Sequence, residues 1–98
     1  MASTALCHAE LDFVQKRVSA LAGIELITVK QEDSRFVVTV VTSEKDYALE
    51  DKIFDVKIAA LETFPDAGFD FRIFVRRGRA LSDVVQMEPE NIVYKKSA

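Results

Sequence analysis

Cysteine, histidine and glycine are scarce in this sequence, and each shortage excludes a class of site. The 98 residues contain one cysteine, one histidine and three glycines. A single cysteine cannot form a disulfide within the chain, and it provides no set of thiolates for structural zinc. Three glycines are too few for a glycine-rich phosphate loop, and neither GxxxxGK[ST] nor GxGxxG occurs. The sequence therefore predicts no cofactor.

The lone cysteine and histidine are neighbours, Cys7 and His8. On a helix, adjacent side chains point about 100° apart, so the two do not form a nucleophile–base pair. We expect Cys7 to be a small buried hydrophobe and His8 a surface residue; the alternative is a metal site completed by a carboxylate. The acids Asp51, Asp55 and Glu62 share one helix face, which is more typical of a solvated face than of paired catalytic carboxylates. No catalytic residue is predicted.

Strong positive charge and long apolar runs are also missing. The net charge of −3 and the pI near 5.1 argue against the nucleic-acid backbone as the main partner. No apolar run approaches the ~18 residues that cross a bilayer, and the N-terminal residues do not resemble a secretory signal. Hydrophobic residues make up 49% and charged residues 30%, as in globular proteins. We expect one cytoplasmic domain over residues 1–98, without a membrane partner.

The first half of the chain predicts a helix followed by a hairpin. Apolar residues recur at helical spacing over residues 4–22, and Gly23 stands where a helix C-cap is expected. Residues 24–30 and 35–42 are rich in β-branched side chains and flank a short polar turn. These two segments predict an antiparallel pair of strands.

The second half predicts a longer helix and a further strand. Ser43 and Asp46 fit a capping box for a helix over residues 44–64, which Pro65 ends. Residues 69–76 alternate apolar and polar side chains, as a strand does. Residues 77–98 form an irregular C-terminal segment with signals for a short helix and an edge strand.

The order of elements is α-β-β-α-β, with a further strand if the last signal holds. It predicts an α+β fold, a two-layer sandwich in which two helices cover one face of a mostly antiparallel sheet of three or four strands.

The longer helix is more apolar than a single buried face requires. One stripe can face the sheet: Leu49, Ile53, Val56, Ala60 and Phe64. A second stripe, here called the outer stripe, lies on another side of the helix: Tyr47, Phe54, Ile58 and Leu61. It either packs against the first helix or forms a contact between subunits, because four large apolar side chains in water make an unusual surface.

The far face of the sheet, the one turned away from the helices, is also partly apolar. If Phe36, Val38 and Val40 point at the helices, then Val37 and Val41 point away from them, and the last predicted strand adds Arg72 and Phe74 to that face. Scattered surface valines are one reading. We prefer that the face is covered, either by the sheet of a second copy or by the C-terminal segment.

Arginines cluster at the end of the last predicted strand: Arg72, Arg76, Arg77 and Arg79. Planar guanidinium groups near a glycine can hold a phosphate or carboxylate. The alternative is that they pair with acids of the longer helix or of a neighbouring subunit.

The sequence thus predicts a non-enzymatic domain that self-associates, with a dimer favoured. The expected contact residues are Val37, Val41 and Phe74 on the sheet and the outer stripe on the helix. The second hypothesis is binding of nucleic acid or an anionic ligand through the four arginines.

Overall fold

The computed structural model describes residues 8–33, 35–86 and 88–96. Its elements follow the predicted order and include the additional final strand. They are α1 (His8–Ser19), β1 (Ile24–Glu32), β2 (Arg35–Thr42), α2 (Tyr47–Thr63), β3 (Gly68–Val75), α3 (Leu81–Val84), a 3-10 turn (Pro89–Asn91) and β4 (Ile92–Lys95).

Helix α1 ends earlier than its apolar spacing predicts. It stops at Ser19, and the chain then turns into β1 through Gly23, whose φ of 94° is accessible to glycine with little strain. The predicted start at residue 4 and the expected burial of Cys7 lie outside the described residues, as does the side chain of His8.

Helix α2 also begins later than predicted. Its N-cap is Asp46, whose side chain accepts a hydrogen bond from the Leu49 N–H at 3.2 Å. Ser43 does not cap the helix because its backbone extends the sheet: its N–H donates to Gly23 O and its carbonyl accepts from the Arg77 N–H. At the other end Phe64 is the C-cap, and Pro65 follows it.

The four strands form one mixed sheet in the order β3-β2-β1-β4. Strand β1 pairs antiparallel with both β2 and β4, which confirms the mostly antiparallel sheet. Strand β3 instead runs parallel to β2, because α2 carries the chain back across the sheet before β3 begins.

Both long helices contribute to one apolar layer against the sheet. Val14 and Val18 of α1 and the core-facing stripe of α2 pack there with inward side chains of the strands. The strand residues in this cluster are Ile24, Ile27, Val29, Phe36, Val38, Val40, Phe69 and Phe71. The predicted orientation of Phe36, Val38 and Val40 toward the helices is therefore confirmed.

The C-terminal segment lies across the far face of the sheet. Val84, Val85 and Gln86 line one side of a cavity whose other wall includes Val37 and Thr39 of β2. Strand β4 then pairs along β1 and completes the sheet at the edge opposite β3. Of the two covers expected for this face, a second copy or the C-terminal segment, the structure has the C-terminal segment over part of it.

Candidate interaction surface

The outer stripe of α2 is exposed along its whole length. The exposed fractions are 74% for Tyr47, 39% for Phe54, 54% for Ile58 and 38% for Leu61. Together with Phe74 they are the exposed large hydrophobic residues of the described chain. The first alternative for this stripe, packing against α1, does not occur in this structure.

The position of α1 explains this exposure. Asp55, Val56 and Ala59 of α2 share a groove with Lys16 and Arg17 of α1, so this side of α2 faces the first helix. At about 100° per residue, the sheet-facing side, the α1-facing side and the outer stripe lie roughly 120° apart around the helix axis. The outer stripe is therefore on the flank of α2 that α1 does not reach.

That flank borders the free edge of the sheet. Helix α1 packs on β1 and β4, whereas α2 packs on β3, the edge strand. The side of α2 that points away from α1 consequently points toward the β3 edge. We call the outer stripe together with the β3 edge the β3-side surface.

The ammonium group of Lys45 packs on the ring of Tyr47 at the N-terminal end of the outer stripe. The Lys45 ammonium lies 4.8 Å from the centroid of the Tyr47 ring and 2.8 Å from Oε2 of Glu50. The hydrogen bond to Glu50 raises the pKa of Lys45, and the nearby negative charge of Glu50 adds to this effect. Lys45 thus stays charged while it covers part of the Tyr47 ring.

The predicted sheet contact is mostly inaccessible. Val37 is 8% exposed and Val41 is 0% exposed within the single chain, so neither presents a surface to a partner in this structure. Phe74 differs because it lies on the outermost strand, where it is 40% exposed. Of the three predicted sheet residues, only Phe74 can contact another molecule without a rearrangement of the chain.

A cavity of about 360 Å³ lies beneath the C-terminal segment on the far face. Its floor includes Thr28, Thr39 and Arg72, which stand side by side on β1, β2 and β3. Lys30, Glu32 and Glu88 also line it, so cations and acids balance around the opening. This balance does not select an anionic ligand.

The arginine cluster is largely engaged within the chain. Arg72 donates from Nε and Nη2 to Oδ2 of Asp70 at 3.1 and 3.0 Å. Arg76 donates from Nη1 to Oε1 of Glu25 at 2.7 Å. Arg79 donates from Nη2 to the Val75 carbonyl at 2.6 Å. One alternative predicted that the arginines pair with acids of the longer helix or of a neighbouring subunit. Arg72 and Arg76 do pair with acids, but these acids belong to β3 and β1 of the same chain.

Arg77 differs from the other three arginines. Its backbone is in the left-handed region at φ 52°, and its side chain is exposed. Its N–H donates to the Ser43 carbonyl at 3.0 Å, which fixes the backbone at the end of the sheet. The four arginines therefore do not converge on one site, because three of them are directed at separate partners.

Sequence reasoning missed Glu25. Its carboxylate binds Arg76 at 2.7 Å and Lys96 at 3.6 Å, and its side chain is only 12% exposed. The register of β1 against β2 shifts between Ile24 and Leu26, so Glu25 sits at a bulge. The one available signal was an acid inside an apolar strand.

Two further expectations concern metal ions and membranes. Over residues 8–33, 35–86 and 88–96, histidine, cysteine and acidic side chains do not form a group of three that could hold a metal ion. Within the same ranges, each helix is too short or too polar to cross a bilayer. Asp51, Asp55 and Glu62 are all exposed on α2.

Comparison with models of known protein families and with curated protein sequences finds no match to this chain.

Proposed function

We propose that this chain is a non-enzymatic, cytoplasmic domain that associates with a second copy of itself through the β3-side surface. One observation carries the proposal: four large apolar side chains of a single helix are exposed together. Exposed apolar patches with polar borders are typical of protein–protein contacts.

The composition of the outer stripe suits an interface. Tyrosine and phenylalanine bring large rigid rings, and isoleucine and leucine fill the spaces between them. Polar residues border the stripe on α2, including Glu50 and Lys57 on one side and Asp51 on the other. An apolar centre with a polar rim is the usual arrangement of a protein–protein contact.

A second copy is the partner that the geometry favours. A symmetric pair places the same patch on both subunits, so each outer stripe would cover the other. Such an arrangement removes the apolar surface of both chains from water in one step. The helix contact predicted from the sequence is thereby retained, and Val37 and Val41 have no part in it.

Ile58→Glu tests this proposal at the centre of the outer stripe. We expect the dimer dissociation constant to rise at least ~100-fold, because each copy loses burial of the exposed half of this side chain, about 1 kcal/mol, and gains a charge in the contact. Sedimentation equilibrium over a wide concentration range measures this change.

Ala48→Glu is the matched control. Ala48 is exposed on the same helix but lies off the outer stripe, and the substitution adds the same charge. We expect its dissociation constant to stay within about threefold of wild type, since exposed substitutions outside a contact have small effects. A wild-type chain that sediments as a monomer at every concentration would exclude self-association.

A further inference from the structure

Strand β3 offers an unpaired edge beside the outer stripe. It is 8 residues long and lies at the end of the sheet, where no other described strand pairs with its outer side. The Val75 carbonyl at its C-terminal end accepts from Arg79, and the preceding outward backbone groups of the strand are open to another strand. Long edge strands readily pair with further strands, so this edge needs either protection or a partner.

The backbone groups that point outward can be assigned. The Arg76 N–H donates to Thr42 O, so Arg76 directs its backbone groups at β2. Successive residues of a strand alternate in this direction, so the groups of Phe69, Phe71 and Ile73 point to the open edge.

The side chains of β3 are complementary to the same strand running in the opposite direction. Asp70 and Arg72 both lie on the far face and already contact each other at 3.0 Å within one strand. If Phe71 stands opposite Phe71 of a second copy, Asp70 of each strand stands opposite Arg72 of the other. Opposite charges in direct cross-strand positions stabilise a sheet.

We propose that two copies join by antiparallel pairing of their β3 strands, with Phe71 on the twofold axis. This inference rests on the proposed self-association and specifies its geometry. The two sheets become one continuous sheet. In this register the helix-covered face of one sheet continues into the helix-covered face of the other. Both α2 helices therefore lie on the same side of the joined sheet, and their outer stripes approach each other across the twofold axis.

Neighbouring registers are disfavoured by like charges. A twofold axis at Asp70 places the two Asp70 carboxylates opposite each other, and an axis at Arg72 does the same with the two guanidinium groups. The register at Phe71 also sets Phe74 of one strand opposite Gly68 of the other. An aromatic ring that covers a glycine across strands is a favourable pair at a sheet edge.

Charge reversal tests the register directly. Asp70→Arg places a second guanidinium group opposite Arg72 of the partner copy. Arg72→Asp places two acids opposite each other. Each variant alone should therefore raise the dimer dissociation constant at least ~30-fold. An equimolar mixture of the two variants restores both opposite-charge pairs and should form a heterodimer. The double variant Asp70→Arg/Arg72→Asp also restores both pairs and should dimerise within about threefold of wild type.

The fold of each variant is checked by circular dichroism and thermal melting. Both positions are substantially accessible, with side chains 34% exposed for Asp70 and 54% for Arg72, so each single variant should fold. Hydrogen exchange gives a second measurement that does not depend on charge. The amides of Phe69, Phe71 and Ile73 should exchange slowly at high protein concentration and quickly at low concentration.

The outcomes separate this inference from the proposed function. If wild type dimerises and Ile58→Glu disrupts the dimer while both charge reversals leave it intact, β3 pairing is overturned and self-association through α2 stands. If the single variants dissociate and neither the mixture nor the double variant recovers, the proposed register is overturned. A wild-type monomer overturns both proposals and leaves the β3 edge for a strand of a different protein.

Discussion

Glu25 is the residue whose role depends most on the folded chain. Its carboxylate joins β1 to the end of β3 through Arg76 and to the end of β4 through Lys96. With its side chain 12% exposed, the group has lost most of its water and is compensated by these cations. One acid thus connects three strands at the same end of the sheet.

Glu25→Gln should lower the free energy of unfolding by about 1–3 kcal/mol, because it removes a partly buried charge-assisted hydrogen bond and leaves Arg76 without its carboxylate. Glu32→Gln is the control, since the exposed Glu32–Arg35 pair at 3.2 Å contributes about 0–1 kcal/mol. Urea denaturation of both variants gives the comparison. Equal losses would show that Glu25 is no more than a surface acid.

At the scale of elements, the start of α2 shows how a neighbouring strand changes a local signal. Ser43 and Asp46 are both good N-cap residues, and the sequence pattern favours the first. The Ser43 backbone instead bonds to Gly23 and Arg77 at the end of the sheet, which holds it in extended geometry. Asp46 then caps the helix, three residues later in the chain.

Asp46→Ala should therefore cost about 1 kcal/mol of stability, because it leaves the Leu49 N–H without its side-chain acceptor. Ser43→Ala should change stability by less than about 0.5 kcal/mol, since its hydrogen bonds to the sheet come from the backbone. Thermal and urea unfolding of the two variants test this order. A larger loss for Ser43→Ala would place the cap where the sequence pattern put it.

At the scale of the whole molecule, the two helices and the C-terminal segment leave the outer stripe of α2 uncovered. The far face is sheltered around Val37 and Val41, and α1 packs beside α2 in the helix layer. Among the residues that the structure describes, the β3-side surface combines exposed large apolar side chains with an open strand edge. The proposed association through this surface would extend the sheet and cover the outer stripe in one contact.

A folded dimer that unfolds to monomers has a midpoint temperature that depends on concentration. For two chains of this length we expect Tm to rise by about 4 °C for each tenfold increase in protein concentration, given the usual unfolding enthalpy per residue. Calorimetry at several concentrations measures this slope. Ile58→Glu should melt at one temperature throughout that range, and a flat wild-type profile would argue for a monomer.

Local patterns were sufficient for the elements and for the side chains that face the core. The helical spacing of apolar residues over residues 4–22 and the alternation in β3 indicated one apolar side for each element, because each depends on the geometry of one helix or one strand. The structure buries Val14 and Val18 on that side of α1 and Phe69 and Phe71 on that side of β3. The helical spacing also identified the outer stripe and gave two alternatives for it, packing against the first helix or contact with another subunit. Its exposure agrees with the second alternative.

Only the tertiary structure decided how those elements meet. The parallel pairing of β2 with β3, the C-terminal segment over Val37 and the hydrogen bond from Arg76 to Glu25 all join segments far apart in the chain. Periodicity describes the neighbours of a residue along one element, whereas these contacts depend on the path of the chain between elements. The sequence by itself determined an α+β domain with surplus apolar surface, and the packing of α1 and the C-terminal segment decided that the surplus lies beside β3, because those elements cover the other apolar sides.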